Sequence, residues 1–376
     1  MKKIFHREGE QQLDERKTQR WEVSSHPPWN QDERNSLQQA AQMLMKGKLV
    51  AFPTETVYGL GADATSEEAV YEIFRAKGRP ADNPLIVHIG QLSQVEQLVS
   101  GVSSVAERLM YHFWPGPLTL ILPHNGSVAT PVTAGLDTVG IRFPRHPVAE
   151  ALLKETNLAI AAPSANRSGR PSPTEAAHVW SDLQGRIGGL LDSGSTGIGV
   201  ESTVVDVSGD IPMLLRPGGI AREQLMEVVP QLQVDPALIE GSVRPRSPGM
   251  KYRHYAPMGD LWLVDGKPEE QVLHIQRLAD EACALDLKVA ILTTEEHQSA
   301  YGDHAVILCG RRSDPSSVAH HLFRALRQCD QMEAQVILAE TFPSVGLFDS
   351  VMNRLQKAGK GMLSPHRSPT SFSSLF

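Results

Sequence analysis

Cysteine is scarce: only Cys283, Cys309 and Cys329 occur among 376 residues. They are odd in number, widely spaced and never arranged as Cys-x-x-Cys, which speaks against a disulfide framework and a zinc site. No apolar run approaches the ~20 residues of a spanning helix. The basic opening MKKIFHREGEQQLDERK has no apolar segment behind it, so a cytoplasmic chain without a membrane anchor or signal peptide is expected. Positive charge is not in excess either. With 43 acidic and 36 basic side chains the net charge is −7, which argues against broad nucleic-acid binding and leaves room for a local basic pocket. Equally missing are a Walker A ending, GxGxxG, GxSxG and HExxH, so no nucleophile with a base and no metal motif announces itself.

What remains is ordinary globular material. The hydrophobic fraction is 41% and the charged fraction 21%, enough for sizeable cores, and the length suggests two domains. Residues 1–34 mix cations and anions with little periodicity and read as a polar extension, in part disordered. Leu37, Ala40, Ala41, Leu44 and Met45 then fall at helical spacing and stop at Gly47. LVAFPT follows as a short buried strand. In TSEEAVYEIFRAKG, Thr65 and Glu68 have capping-box spacing, Val70, Ile73 and Phe74 form an apolar face, and Gly78 suits a C-cap.

The runs PLIVHI, PLTLILP, TVGIRFP and LAIAAPS read as strands with helical patterns between most of them. Residues 35–229 therefore form an α/β domain. Residues 230–258 crowd prolines, glycine, cations and two tyrosines into SPGMKYRHYAP, which cannot be regular throughout. Strands and helices resume over 259–362 as a smaller α/β domain, and the Ser/Pro-rich 363–376 form a tail.

Four polar clusters lie at strand ends, where open α/β sheets bind ligands. FPTETVYGLGADA offers the hydroxyls of Thr54, Thr56 and Tyr58 beside Gly59 and Gly61; a strand with a tight turn is its plainer reading. KGRPADNPLIVHI places Lys77 and Arg79 around Gly78, with Asn83 in a proline-stiffened loop and His88 in an aliphatic strand. Helix capping accounts for Lys77 but not for Arg79 or Asn83, and His88 alone reads as a packed core residue. APSANRSGRPSPT supplies Ser164, Asn166, Ser168 and Thr174 with Arg167 and Arg170 between them, either a polar loop or a phosphate and ribose cradle. ESTVVDVS and LLRPGGI add Ser202 and Arg216. Together the clusters gather cations and hydroxyls without an enzyme nucleophile, as a site for two anionic partners would.

Taken in order, FPTETVYGLG, KGRPADNPLIVHI, WPGPLTLIL, TVGIRFPRHP, APSANRSGRPSPT, ESTVVDVS and LLRPGGI resemble the YrdC family across residues 37 to 225. SPGMKYRHYAP and VMNRLQKAGKG resemble its longer, two-domain branch. The resemblance implies a YrdC-like twisted open sheet with helices, plus a smaller Rossmann-like α/β domain. It also implies an L-threonylcarbamoyladenylate synthase, a nucleotidyltransferase that joins L-threonine, bicarbonate and ATP and releases pyrophosphate. A partner transferase complex then modifies adenosine 37 of tRNAs reading ANN codons. On the same footing Lys77 and Arg79 are catalytic. Arg79, Asn83, Thr138, Asn166, Thr174, Arg216 and Tyr255 contact ATP, while Thr56, His88, Arg142, Ser164 and Ser202 hold threonine. Mg²⁺ is held mainly through the phosphates, with no resident metal site, and the chain acts as a monomer.

Met250, Tyr252, Arg253, His254 and Tyr255 are too crowded for a passive linker and are expected to fold over the pocket as a lid. Two other readings compete. Non-catalytic RNA binding needs a basic stripe that the sequence does not display. Carbamoyl transfer of the hydrogenase-maturation type would bring cysteine motifs and further domains, which are missing here.

Overall fold

Two sheets organise the chain. A computed structural model describes residues 17–236, 238 and 254–364. The first part runs β1 (Gln19–Glu22), α1 (Gln31–Met45), β2 (Val50–Phe52), β3 (Gly59–Asp63), α2 (Glu67–Lys77) and β4 (Ile86–His88). It continues through α3 (Gln94–Leu98), α4 (Ser104–Phe113), β5 (Leu118–Pro123), α5 (Thr130–Thr133), β6 (Thr138–Arg142), α6 (Pro147–Thr156) and β7 (Ile160–Ala161). It ends with α7 (Ala176–Leu183), β8 (Gly189–Asp192), β9 (Thr203–Asp206), β10 (Met213–Arg216), α8 (Arg222–Val228) and β11 (Gln233–Val234). Its strands form one mixed sheet in the order β1-β8-β2-β3-β7-β4-β6-β5-β9-β10-β11.

Strand alternation decides which side chain goes to which face. In β2, Val50 and Phe52 join Leu37, Leu44 and Leu152 under α1 and α6. Ala51 points to the opposite core, with Ile73 of α2 and Val179 of α7. Both faces are thus covered, as an α/β layer arrangement requires.

The second part is a parallel five-stranded sheet, β14-β13-β15-β12-β16. Its elements are β12 (Asp260–Val264), α9 (Pro268–Ala284), β13 (Val289–Thr293), β14 (Val306–Leu308), α10 (Pro315–Gln331), β15 (Val336–Glu340), α11 (Leu347–Ala358) and β16 (Gly361–Leu363). Helix α9 covers one face through Ile275, Leu278 and Ala282. On the other face α10 and α11 bring Leu322, Phe323, Val351 and Leu355 into a core that also takes in Val57, Val200 and Tyr255. The second domain therefore completes its core with residues from the first.

Three expectations change. The polar extension over 1–34 is in part built into the fold: β1 pairs in parallel with β8, and Thr18 Oγ1 donates to the Ile187 carbonyl at 2.8 Å. An edge strand with mostly exposed side chains carries no apolar alternation, so its sequence gave no strand signal. Helix α1 likewise starts ahead of Ser36. Asn30 accepts from the Glu33 amide at 2.9 Å and the Glu33 carboxylate accepts from the Asn30 amide at 2.8 Å, a full capping box. In α2 the cap is Ser66, which accepts from the Ala69 amide at 3.2 Å, while Thr65 turns back to Asp63.

Candidate active site

Helix α2 ends at Gly78, whose left-handed φ of 62° turns the chain so that the Arg79 amide reaches the Phe74 carbonyl at 2.9 Å. That turn puts Lys77 and Arg79 on the wall of a pocket. Parallel strands β4 and β6 bring His88 and Arg142 to the same register at their carboxyl ends. The loop after β7 adds Ser164 and Asn166, the approach to β9 adds Glu201 and Ser202, β10 ends in Arg216, and His254 and Tyr255 close the wall. Five cations from four segments, Lys77 and Arg79, Arg142, Arg170 and Arg216, thus face one pocket, with Glu201 as the single carboxylate lining it among the described residues.

Lys77 is 2% exposed, and its ammonium donates to the Ser164 carbonyl at 2.5 Å, the Asn166 carbonyl at 2.6 Å and Asn166 Oδ1 at 3.3 Å. Burial, reinforced by Arg79, holds its pKa well below the ordinary lysine value. Among the described residues Arg79 makes only two 3.3 Å contacts, from Nη2 to the carbonyls of Asn83 and Pro84, and its buried Nε has no partner there. Arg216 directs Nε and Nη2 to the Ser202 carbonyl at 3.2 and 2.9 Å. Ser202 Oγ in turn lies 2.8 Å from Thr119 Oγ1. Arg142 Nη2 is 2.7 Å from Glu55 Oε2, an ion pair whose angles do not make a hydrogen bond.

His88 packs edge to face with Phe52 at 6.2 Å, and burial beside Arg142 lowers its pKa to about 3. It presents a neutral imidazole to the pocket. Tyr255 is 5% exposed and adopts φ 65°, a conformation that costs a non-glycine residue roughly 1–2 kcal/mol. Its ring is held between Phe323, 5.3 Å away, and the Arg354 guanidinium at 5.4 Å. The next amide, of Ala256, donates to the Gly169 carbonyl at 2.9 Å, tying the interdomain segment to the 162–174 loop.

Nine sequence-predicted residues line the pocket: Lys77, Arg79, His88, Arg142, Ser164, Asn166, Ser202, Arg216 and Tyr255. Thr56 is fully buried behind the wall, bonded at 2.8 Å to Thr54, which lines the pocket in its place. Asn83 is buried with an unpartnered Nδ2 next to Arg79. Thr174 is buried and is not part of the pocket lining, and Thr138 heads β6 at the end opposite Arg142. Met250, Tyr252 and Arg253 lie outside the described residues. Sequence reasoning missed Glu55 and Glu201, both inside quoted motifs; a carboxylate amid cations was the available signal.

A mixed α/β sheet with a cation-rich pocket at its strand ends, closed by the interdomain segment and backed by a second domain, defines a two-domain enzyme that handles anionic small molecules. A family model described as "Telomere recombination" matches residues 42–218, and one described as "Threonylcarbamoyl-AMP synthase, C-terminal domain" matches 220–359. The chain is 50% identical to the threonylcarbamoyl-AMP synthase of Bacillus subtilis over 92% of its own length and 99% of the relative's. Identity to the Pyrococcus abyssi synthase is 46%, over 85% of this chain and 92% of the other. The crystal structure of P. abyssi Sua5 complexed with L-threonine superposes with a TM-score of 0.87 at 43% identity, covering 93% of this chain and 100% of that one. The chain belongs to the threonylcarbamoyl-AMP synthase family, which sets aside the reading as a non-catalytic RNA-binding protein.

Proposed function

We propose that the pocket performs nucleotidyl transfer from MgATP to a carbamate made from L-threonine and bicarbonate. The threonine amine bonds to the carbon of bicarbonate, a carbon–oxygen bond breaks and water leaves with the amine's proton, giving a carbamate. A carbamate oxygen then attacks the α-phosphorus, the bond to the bridging oxygen breaks, and pyrophosphate leaves. The product is L-threonylcarbamoyladenylate, whose threonylcarbamoyl group a partner complex passes to adenosine 37 of tRNAs reading ANN codons. The observation that carries this reading is the convergence of Lys77, Arg79, Arg142 and Arg216 on one pocket. Carbamate and triphosphate repel each other, and fixed cations in a dry site oppose that repulsion most where charge builds in the transition state. The substrate carries its own nucleophile, so catalysis is positioning and charge stabilisation.

Arg79 suits the phosphates because its contacts are long and its Nε is unpartnered. Lys77 anchors the 164–166 loop and adds its charge from behind. Arg216, Asn166, Asn83, Thr138, Thr174 and Tyr255 serve the nucleotide. Arg142 receives the threonine carboxylate, which takes over the position held by Glu55. Thr56, neutral His88, Ser164 and Ser202 surround the rest of the amino acid. Magnesium arrives with ATP: the wall's one carboxylate, Glu201, is already paired with Arg354. No three His, Cys, Asp or Glu side chains gather for a metal among the described residues. His254 and Tyr255 serve as the inner part of a lid that excludes water from the mixed anhydride. The test incubates the protein with ATP, Mg²⁺, bicarbonate and each amino acid in turn. Pyrophosphate release that needs threonine and bicarbonate together is expected; release indifferent to either would overturn the reading.

A further inference from the structure

The motif VMNRLQKAGKG lies on α11, far along the chain from the pocket, and the chemistry above assigns it nothing. Its arginine, Arg354, is fully buried. A guanidinium is placed there only where its donors are met; Arg354 Nη1 donates to the adjacent Asn353 Oδ1 at 2.8 Å, and its other two nitrogens are met in the first domain. Nε donates to Glu201 Oε2 at 2.7 Å, and Nη2 donates to the Pro217 carbonyl at 3.0 Å. The guanidinium also lies over the Tyr255 ring, 5.4 Å from its centre.

Each of these partners adjoins a pocket group. Glu201 precedes Ser202 and Pro217 follows Arg216, while Tyr255 is itself on the wall. Glu201 also accepts from Ser172 Oγ at 2.6 Å, so the same carboxylate steadies the 162–174 loop. One side chain of the second domain therefore fixes three segments at once, and a planar fork does this as no single ammonium can.

We propose that Arg354 is a positioning residue for catalysis: through Glu201, the Pro217 carbonyl and the Tyr255 ring it sets Ser202, Arg216 and the inner lid. The second domain thereby completes the active site from behind. This rests on the nucleotide role given to Arg216 and Tyr255.

The test uses the full chain and reads threonine- and bicarbonate-dependent pyrophosphate release, with KM and kcat resolved separately and the folded fraction taken from near-UV circular dichroism. Arg354→Met should raise the KM for ATP about tenfold and lower kcat by one to two orders of magnitude in folded protein. Arg354→Lys, which can reach Glu201 but cannot serve all three partners, should fall between the two. Glu201→Gln should shift the ATP KM in the same direction, and adding it to Arg354→Met should do little further harm. Should Arg354→Met not fold, the milder Arg354→Lys and Glu201→Gln decide the matter. Wild-type KM values in the folded variants, with velocity tracking only the folded fraction, would overturn the proposal. A wild-type chain without threonine-dependent release would instead refute the functional reading itself.

Discussion

Lys77 and Arg79 are two residues apart and both basic, yet the structure gives them different work. Lys77 satisfies the carbonyls of Ser164 and Asn166 with a buried ammonium. Replacing it with alanine leaves the Asn166 carbonyl unmet and the Ser164 carbonyl with the Asn166 amide at 3.0 Å, at roughly 1–3 kcal/mol for the unmet buried group. Lys77→Ala should therefore lower the unfolding midpoint and the activity together. Arg79→Ala loses only two long contacts. It should leave the midpoint nearly unchanged while the rate falls on the order of 10²–10³, the usual loss for a donor aimed at developing charge. Thermal melts beside steady-state assays separate the two; equal destabilisation by both would contradict this division. The sequence located these cations because a glycine turn and two prolines fix them locally. It could not distinguish their roles, because the acceptors of Lys77 lie about ninety residues further on. Glu201 and Arg354 were illegible as a pair for the same reason: each motif was visible, but their contact exists only once two domains have docked.

Between elements, the decisive contact is the loop before β9 against α10. Gly199 has a φ of 85°, and a Cβ there would sit 2.4 Å from the Ala319 carbonyl oxygen. Backbone cannot yield as a flexible side chain does. The same loop pairs with the segment that carries Thr54 and Val57 of the pocket wall: the Ile198 and Gly199 amides donate to the carbonyls of Glu55 and Thr56 at 2.8 and 3.1 Å. Gly199→Ala should thus push α10 away from the pocket loops, costing roughly 1–3 kcal/mol in backbone strain alone. Threonine-dependent turnover should fall more steeply than stability. Turnover that survives the substitution would mean that the domains need not be closely docked. Most helices and buried strands were legible, since apolar periodicity and caps are local signals. Edge strand β1 was not, because it is held by its neighbour's backbone and by packing of Trp21 over Gly189, 168 residues later, and not by a pattern of its own.

For the whole molecule, the buried histidines set the response to acid. Burial lowers His88 and His254 to about 3, and His146 and His178 to about 4. Unfolded, each would titrate near 6.5. Below that pH the unfolded chain binds protons that the folded chain refuses, so stability present above pH 6.5 is lost as pH falls toward 4 and then 3. The Glu201 carboxylate adds to this loss: burial opposes its ionisation, but Arg354 and Arg216 hold it below the ordinary value, so it too favours the fold only while charged. A stretch of 2.5 pH units corresponds to on the order of 3 kcal/mol for one such histidine. His146 allows this to be measured without loss of the helix start, because it caps α6 by accepting from the Val148 amide at 3.2 Å. Asparagine accepts at the same position and does not titrate. His146→Asn should match the wild type at pH 4 or exceed it, and its stability should fall less steeply between pH 6.5 and 4, by close to one proton in the linkage slope. Denaturant midpoints taken at half-unit steps give that slope directly. An unchanged slope would mean that the His146 imidazole takes up its proton as readily in the folded chain as in the unfolded one, and that the acid sensitivity arises from the other buried histidines and the carboxylates.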